Sequence, residues 1–363
     1  MQPMPRTTAC LVDDRTHGPR PFTGGNPVSA YETSPAGIPR GMMLGMLRGA
    51  RHRCWLGLLA GLMACAPVHD PSPGTPPLDR GTAVEVPFRT SKHQRLIDVH
   101  IGGRGPFTFL VDTGVGGAAI DSTLAAELGI ELDDAGAQSF EQLGETQRIY
   151  QIHIPQLAVG TLRLDRLQAA ALPLTALGER LGEPLHGILG DGFLKTRTTR
   201  FDPVRRTMSF ADSLEAFAED VAAADLDIPL VIDPGSDMPL LDVTLADGRT
   251  MRASLDTGSS LGLEIFAPFV DELGLGETTR DWISGEVLGG SIGRAEILDG
   301  TLDEIRIGTL RFGDVPTSIT PTRGDSGRMG NLGNQLWEGC VLILAFPEER
   351  LVLRRLVPRP AGG

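Results

Sequence analysis

Two aspartates with matched surroundings are the residues of this chain best placed to do chemistry. The first closes the apolar run Phe107-Thr-Phe-Leu-Val-Asp112-Thr-Gly114, and the second closes Met251-Arg-Ala-Ser-Leu-Asp256-Thr-Gly258. A lone carboxylate at the end of a buried strand loses much of its solvation, so it is costly unless something uses it. Two carboxylates within hydrogen-bond distance share one proton over a wide pH range, and such a pair can activate a water. Asp112 and Asp256 are therefore the candidate catalytic pair.

The residues that follow each aspartate suit a tight loop around a carboxylate. Gly114 and Gly258 let the backbone turn sharply and bring its N–H groups toward the carboxylates. Thr113 and Thr257 supply one hydroxyl in each loop, placed to lock the two loops to each other. This chemistry needs no metal and no cofactor.

The two Asp-Thr-Gly motifs belong to a longer internal repeat. Leu96-Ile-Asp98-Val and Leu240-Leu-Asp242-Val precede the two aspartates by the same number of residues, and each pair predicts a strand–turn–strand hairpin. A duplicated unit of this length predicts two equivalent lobes that share one site. Further matched segments are Val159–Leu164 with Ile307–Phe312, Gly187–Leu194 with Gly330–Trp337, the helices predicted over 122–129 and 266–273, and the closing hairpins at 201–210 and 346–353.

Composition limits the fold and the partners. The chain has 363 residues, is 41% hydrophobic and contains 46 Gly and 27 Pro, which suits a turn-rich, mainly β protein. Its formal net charge of −13 argues against nucleic acid as a partner, because binding phosphates requires positive charge. Cys340 lies in an apolar run and is predicted to be a buried strand residue. His153 and His186 are isolated, so no metal site is predicted.

The N-terminal region predicts export. Arg48, Arg51 and Arg53 precede an apolar run, residues 55–65, that is too short to span a bilayer and is typical of a secretory signal. Its end, Leu62-Met-Ala-Cys65, resembles the bacterial lipobox, in which the cysteine is lipidated. A plain cleaved signal with Cys65 incidental is the alternative. The predicted location is the periplasmic side of a bacterial membrane, with a lipid anchor at Cys65.

These patterns divide the chain into segments. The Pro-rich stretch after Cys65 predicts a tether, and an Ala-rich acidic stretch predicts a linker between the lobes. The predicted division is a disordered or over-extended start at 1–41, a signal peptide at 42–64, a tether at 65–83, lobe 1 at 84–212, a linker at 213–227, lobe 2 at 228–354 and a tail at 355–363.

Both lobes resemble aspartic proteases of the retropepsin and pepsin class, over nearly all of residues 84–354. The resemblance implies two homologous β-barrel lobes with the active site at their interface. It also implies that Asp112 and Asp256 are catalytic, that Thr113 and Thr257 interlock, and that an extended peptide binds between the lobes under flaps. Candidate flap segments are residues 140–150 and 285–293, with Tyr150, Gly289 and Gly290 as candidate substrate contacts. A chain that carries both loops can build the site alone, so a monomer is expected.

The chain departs from the family pattern beside the first aspartate. The position after Asp-Thr-Gly usually carries Ser, Thr or Ala, whose hydroxyl, where present, can donate to the carboxylate; the second motif has Ser259, but the first has Val115. A missing donor to an ionised carboxylate raises the pKa of that group. We therefore expect Asp112 to carry the shared proton and Asp256 to stay ionised. The element that threads under the second loop also begins with a polar residue, Asn331, where the first has Ile188.

Three other interpretations remain beside this one. The aspartates could cap turns, although turn capping does not require matched threonines, matched glycines and a duplicated lobe. The chain could be a non-catalytic, peptide-binding lipoprotein that keeps the groove and has lost turnover. A two-carboxylate glycosidase is less favoured, because its acids usually lie farther apart. The function predicted from sequence is that of an aspartic-type endopeptidase.

Overall fold

Strands of alternating or continuous apolar residues make up most of the chain. The computed structural model describes residues 78–79, 81–133, 137–142, 145–234, 236–289, 293–324 and 327–356, all of which lie in one compact unit, Cys54–Gly363. The predicted signal segment, Cys65 and Gly290 lie outside the described residues. Among the helices of the described ranges, none is long and apolar enough to cross a membrane.

The first lobe contains ten strands and three short helices within the described residues. Its strands are β1 Val84–Ser91, β2 Gln94–Ile101, β3 Arg104–Val111, β4 Ala118–Asp121, β5 Gln138–Gln142, β6 Glu145–Val159, β7 Leu162–Leu172, β8 Gly187–Leu189, β9 Thr198–Asp202 and β10 Thr207–Ala211, and its helices are α1 Ser122–Glu127, α2 Thr175–Leu181 and α3 Asp191–Leu194. A 3-10 helix, Leu214–Phe217, and α4, Ala218–Ala222, connect this lobe to the second.

The second lobe repeats the strand order of the first. Its strands are β11 Leu226–Pro229, β12 Val231–Ile232, β13 Pro239–Leu245, β14 Thr250–Leu255, β15 Leu263–Phe266, β16 Ile283–Gly289, β17 Gly293–Ile307, β18 Leu310–Thr320, β19 Gly330–Leu332, β20 Cys340–Ala345 and β21 Arg350–Arg355, with 3-10 helices at Ala267–Phe269 and Asn334–Trp337.

Each lobe closes six strands into a barrel. In the first lobe the ring runs β2-β3-β8-β4-β7-β6 and returns to β2, and in the second it runs β13-β14-β19-β15-β18-β17 and returns to β13. The corresponding pairs agree in direction: β3–β8 and β14–β19 are parallel, as are β4–β7 and β15–β18. The internal repeat read from the sequence is therefore confirmed strand by strand.

The closing hairpins of the two lobes join into one sheet, in the order β11-β21-β20-β9-β10-β1. β20 pairs with β9 of the other lobe, with Leu342 opposite Phe201. All six residues of β20 are buried, which explains the continuous apolar run that the sequence shows there. Cys340 is buried in this strand as predicted, and burial raises the pKa of its thiol to about 11. It is therefore a packing residue rather than a nucleophile.

The helices predicted after the two aspartate loops differ in outcome. The first is confirmed as α1, whose N-cap residue Asp121 accepts hydrogen bonds from the N–H groups of Thr123 and Leu124. The second prediction, a helix over 266–273, is wrong. Phe266 ends strand β15, and only a 3-10 helix, Ala267–Phe269, follows, with no side-chain cap. Without a capping side chain, the first N–H groups of this segment lack the support that Asp121 gives to α1.

Candidate active site

Each aspartate lies at the end of a barrel strand and is held in place by the strand beside it. Asp112 follows β3, and its N–H donates to the carbonyl oxygen of Leu189 on β8 at 3.0 Å. Asp256 follows β14, and its N–H donates to the carbonyl oxygen of Leu332 on β19 at 3.0 Å. β8 and β19 run parallel to the strands that carry the aspartates. The hydrogen-bond ladder of each strand pair therefore continues by one bond into the aspartate loop.

The glycines after the aspartates lie between the two carboxyl groups. The N–H of Gly114 donates to Asp112 Oδ1 at 2.7 Å, and the N–H of Gly258 donates to Asp256 Oδ1 at 2.9 Å. A Cβ on Gly258 would come within 2.1 Å of Asp112 Oδ2, and one on Gly114 within 2.8 Å of Asp256 Oδ1. A side chain at either position would therefore crowd the carboxyl group of the opposite lobe, most severely at Gly258.

The two threonines lock the loops together by reciprocal hydrogen bonds. The N–H of Thr113 donates to Thr257 Oγ1 at 2.9 Å, and the N–H of Thr257 donates to Thr113 Oγ1 at 3.0 Å. Each hydroxyl then donates to a carbonyl oxygen of the other lobe, Thr113 to Leu255 at 2.6 Å and Thr257 to Val111 at 3.0 Å. All four bonds are buried, and together they fix the position of the two aspartate loops relative to each other.

Burial raises the pKa of both carboxyl groups, but the other influences on the two differ. For Asp112, the charge of Asp256 and a hydrogen bond between the two carboxyl groups add to the effect of burial, and its pKa lies well above the usual range although the N–H groups of Gly114 and Gly258 lower it. For Asp256, the effect of burial on the pKa is opposed by the N–H of Gly258 and by the positive charge of Arg328. The negative charge beside Asp112 and the positive charge near Asp256 both favour Asp112 as the group that holds the shared proton.

The residue after each motif contributes differently from the way the sequence suggested. The backbone N–H of Ser259 donates to Asp256 Oδ1 at 3.1 Å, while its hydroxyl oxygen accepts from the N–H of Leu261 at 3.3 Å. Val115 is buried in an apolar cluster of the first lobe together with Leu110 and Ile188. The asymmetry between the two loops therefore includes their surroundings as well as one hydroxyl.

Three residues that the sequence did not single out connect the first lobe to the second aspartate loop. Gln94 Nε2 donates to the carbonyl oxygen of Gly258, and Arg95 Nη1 donates to Asn334 Oδ1. Asn334 Nδ2 in turn donates to the carbonyl oxygen of Thr257 at 2.6 Å. Burial lowers the pKa of Arg95 to about 10. No local pattern marks Gln94 or Arg95, because their partners lie in the other lobe.

The described parts of the segments predicted as flaps lie on two corresponding pairs of strands. β5 pairs with β6 up to Gln142 opposite Glu145, and β16 pairs with β17 up to Gly289 opposite Gly293. Tyr150 lies on β6 opposite Ala171, at the base of the first hairpin. Gly289 is the last residue of β16. The predicted role of these residues in substrate contact stays a prediction.

Comparison with known proteins relates this geometry to a protein family. A family model described as aspartyl protease matches residues 97–193 and 241–336, which together make up more than half of the chain. No curated protein matches the sequence. Among solved structures, the crystal structure of basic 7S globulin from soybean is similar with a TM-score of 0.47 and 9% identity, covering 76% of this chain and 96% of that one. The two family matches fall one in each lobe, which confirms the predicted fold class of two acid-protease β-barrel lobes.

Proposed function

Since this chain belongs to the aspartyl protease family, with one copy of the family domain in each lobe, we propose that it is an aspartic-type endopeptidase that uses Asp112 and Asp256. The observation that carries the proposal is the pairing of the two carboxyl groups at the lobe boundary. Asp112 is buried and Asp256 is half-buried, the two carboxyl groups are hydrogen-bonded to each other, and matched loops supply each with an N–H donor. A turn-capping role would require none of this reciprocity.

The mechanism follows from one proton shared by two unequal carboxyl groups. Asp256, as carboxylate, accepts a proton from a water that lies between the two groups, while protonated Asp112 donates to the carbonyl oxygen of the scissile bond. The water oxygen attacks the carbonyl carbon and forms a tetrahedral diol. Collapse of the diol breaks the C–N bond as the proton held by Asp256 passes to the departing amine nitrogen and a diol hydroxyl returns one to Asp112.

The direct test is hydrolysis of a mixed peptide library by the purified protein from acidic to weakly alkaline pH. We expect cleavage, and we expect Asp112→Asn and Asp256→Asn each to lower its rate by about 10²–10⁴-fold or more, because each removes one partner of the proton transfers. Both variants keep the shape of the side chain, and circular dichroism would verify that they fold. Cleavage that survives either substitution would exclude the dyad as the catalyst.

A folded wild-type protein that cleaves nothing at any pH would favour the non-catalytic alternative. Binding of the same library, measured by peptide pull-down and mass spectrometry, would then identify a peptide-binding lipoprotein. In both cases the ligand is a peptide in extended form, and the cleft needs no cofactor.

We also propose that the protein is exported and anchored by a lipid on Cys65 to the periplasmic side of a bacterial membrane. The basic and apolar pattern of residues 48–65 and the Pro-rich tether after it support this proposal. Metabolic labelling with a fatty acid should mark the wild type and not Cys65→Ser. A labelled Cys65→Ser protein would contradict lipidation at this position.

A further inference from the structure

A row of four cross-strand neighbours beside each aspartate differs completely between the lobes. In the first lobe the row crosses β3, β8, β4 and β7, with Leu110 opposite Ile188, Ile188 opposite Ala119, and Ala119 opposite Ala170. All four residues are apolar and buried. Leu110 is two residues before Asp112, so it faces the same side of the sheet as the aspartate.

The same row of the second lobe is polar. Ser254 on β14 is opposite Asn331 on β19, Asn331 is opposite Glu264 on β15, and Glu264 is opposite Ser318 on β18. Asn331 Nδ2 donates to Glu264 Oε2 at 2.6 Å, and the Ser254 hydroxyl donates to Asn331 Oδ1. Thr320 Oγ1 donates to Glu264 Oε1 at 2.7 Å. Ser254, Asn331 and Glu264 of this row therefore form one hydrogen-bond network with Thr320, whereas Ser318 donates to Asp299.

Arg328 adds a positive charge to the polar row. Its Nη1 donates to Ser254 Oγ at 3.2 Å, and its guanidinium lies over the ring of Phe266, 5.4 Å from the centroid. The side chain is 9% exposed. Leu185 is the residue of the first lobe that corresponds to Arg328. The residues that directly follow them, His186 and Met329, accept equivalent backbone hydrogen bonds in the two lobes, and this sets the correspondence.

The barrel itself does not require this charge. The first lobe builds the same strand order and directions with apolar residues at the same places, and burying an arginine is costly unless its charge is used or compensated. The polar row changes the electrostatic field at the second aspartate. Ser254, the partner of Arg328, is two residues before Asp256 on the same face of β14. Asp112 has Leu110 and Leu185 in these places.

We propose that Arg328 is a positioning residue that keeps Asp256 as the ionised member of the pair and so assigns Asp112 the proton. This inference rests on the proposed function and deepens it, because it fixes which carboxyl group is the base and which is the acid. Glu264, Asn331 and Ser254 hold the guanidinium network in place. The division of roles is thus built into the second lobe rather than into the Asp-Thr-Gly loops.

The charges around Asp256 agree with this assignment. Besides the N–H groups of Gly258 and Ser259, the charged groups that interact with it are Asp112 across the lobe boundary, Arg328, and Glu264 on β15. Among these, Arg328 is the cation, and its charge lowers the pKa of both Asp256 and Glu264 against the effect of burial. The causes of the raised pKa of Asp112 include no cation.

The test is the pH profile of kcat/KM for Arg328→Met and Arg328→Lys. Hydrolysis requires ionised Asp256, so loss of the cation should raise the pKa of that group and move the acid limb of the profile to higher pH. We expect a shift of about one pH unit for Arg328→Met, which is a tenfold loss of kcat/KM on the acid side with a smaller change on the plateau. Arg328→Lys keeps the charge and should keep the limb.

Arg200→Met is the matched control, since Arg200 is also buried and paired, with Asp202 at 2.8 Å and Asp220 at 2.6 Å, but lies on β9 in the sheet between the lobes. We expect it to lower stability and leave the acid limb unmoved. An equal loss of kcat/KM at every pH in Arg328→Met would reduce Arg328 to a structural role and overturn the proposal.

A second variant guards against misfolding of the single substitution. Ser254→Leu, Glu264→Ala, Arg328→Leu and Asn331→Ile together give the second lobe the residues that the first lobe already packs on this topology. This variant should fold, and its acid limb should also lie at higher pH than that of the wild type. An unmoved limb in the folded variant would contradict the proposal.

A readout independent of hydrolysis separates this inference from the proposed function. Titration of aspartate carboxyl carbons by NMR reports the two apparent pKa values of the pair in any folded protein, active or not. We expect the lower of the two to rise in Arg328→Met. A rise in a protein that cleaves no peptide would leave the inference standing and remove the peptidase function, whereas an unchanged titration would overturn the inference alone.

Discussion

Thr113 and Thr257 illustrate how much single residues decide at the lobe boundary. Each accepts one hydrogen bond from the other's backbone and donates one to a carbonyl oxygen across the boundary. The Asp-Thr-Gly repeat and the resemblance to aspartic proteases predicted this lock, because a hydroxyl follows each aspartate at the same place. The repeat does not include the differences between the two lobes at Val115, Ser259 and Arg328.

Replacing Thr113 with Val should weaken the lock measurably. The substitution keeps the shape of the side chain but leaves the N–H of Thr257 and the carbonyl oxygen of Leu255 without their buried partner, which costs about 1–3 kcal/mol for each unsatisfied group. We expect a lower midpoint of urea-induced unfolding. Thr123→Val, the same change at an exposed position of α1, is the control and should leave the midpoint nearly unchanged. Equal midpoints for the two variants would contradict the role of the lock.

At the scale of elements, the short strands β8 and β19 hold the aspartate loops in position. Each is followed by a glycine, Gly190 or Gly333, over which the loop of the same lobe passes closely. A Cβ on Gly190 would come within 2.2 Å of the carbonyl oxygen of Val115, and one on Gly333 within 2.3 Å of that of Leu261. Neither glycine has a positive φ, so close packing explains why glycine is needed. The sequence predicted these elements from the matched apolar-apolar-Gly and Asn-Leu-Gly segments.

Gly190→Ala should therefore displace the first aspartate loop. Forcing a methyl group against backbone atoms costs about 1–3 kcal/mol, and the loop that moves carries Asp112. We expect a lower unfolding midpoint together with a loss of peptide hydrolysis. Gly339→Ala is the matched control, because a Cβ there meets no atom within 4 Å. Wild-type hydrolysis by a folded Gly190→Ala protein would show that the loop tolerates the displacement.

At the scale of the whole molecule, the two lobes are joined by more than the threonines. β9 and β20 pair in the sheet between the lobes, and the 3-10 helix Leu214–Phe217 covers one face of that sheet with Leu214 and Phe217 in a shared apolar cluster. Each lobe therefore completes its closing hairpin against the other. The sequence predicted both hairpins but not that they would pair with each other.

The raised pKa of buried Asp112 should make the stability of the whole molecule depend on pH. The pKa of Asp112 in the folded state is raised above its ordinary value, so the folded state binds its proton more tightly than the unfolded state does. The associated stability is present below the ordinary pKa and is lost as pH rises through the raised one. Asp112→Asn, which is always neutral, escapes this loss.

Unfolding midpoints in urea, measured for wild type and Asp112→Asn at a series of pH values, would check this dependence. We expect the two curves to separate as pH rises, with the variant more stable, by about 1.4 kcal/mol for each pH unit by which the pKa of Asp112 is raised. Curves that stay parallel across the series would contradict a raised pKa at this position.

The repeated parts of this protein could be predicted from local patterns in its amino-acid sequence. The two Asp-Thr-Gly loops, the hairpins that lead to them, the threonine lock and the two-lobed β architecture all follow from local patterns whose spacing is the same in both halves. Such patterns are readable because strand alternation, turn glycines and motif residues act within a few positions of one another along the chain.

The residues that surround each aspartate could be identified only once the strands were placed in three dimensions. Arg328, Glu264 and Ser254 come from three separate parts of the second lobe, and they become neighbours only when the register of β14, β19 and β15 is known. Asn331 gave the one visible sign, as a polar residue where the first lobe has Ile188. Gln94 and Arg95 reach their partners across the lobe boundary. Contacts between distant segments depend on strand register and lobe packing, which no local pattern records.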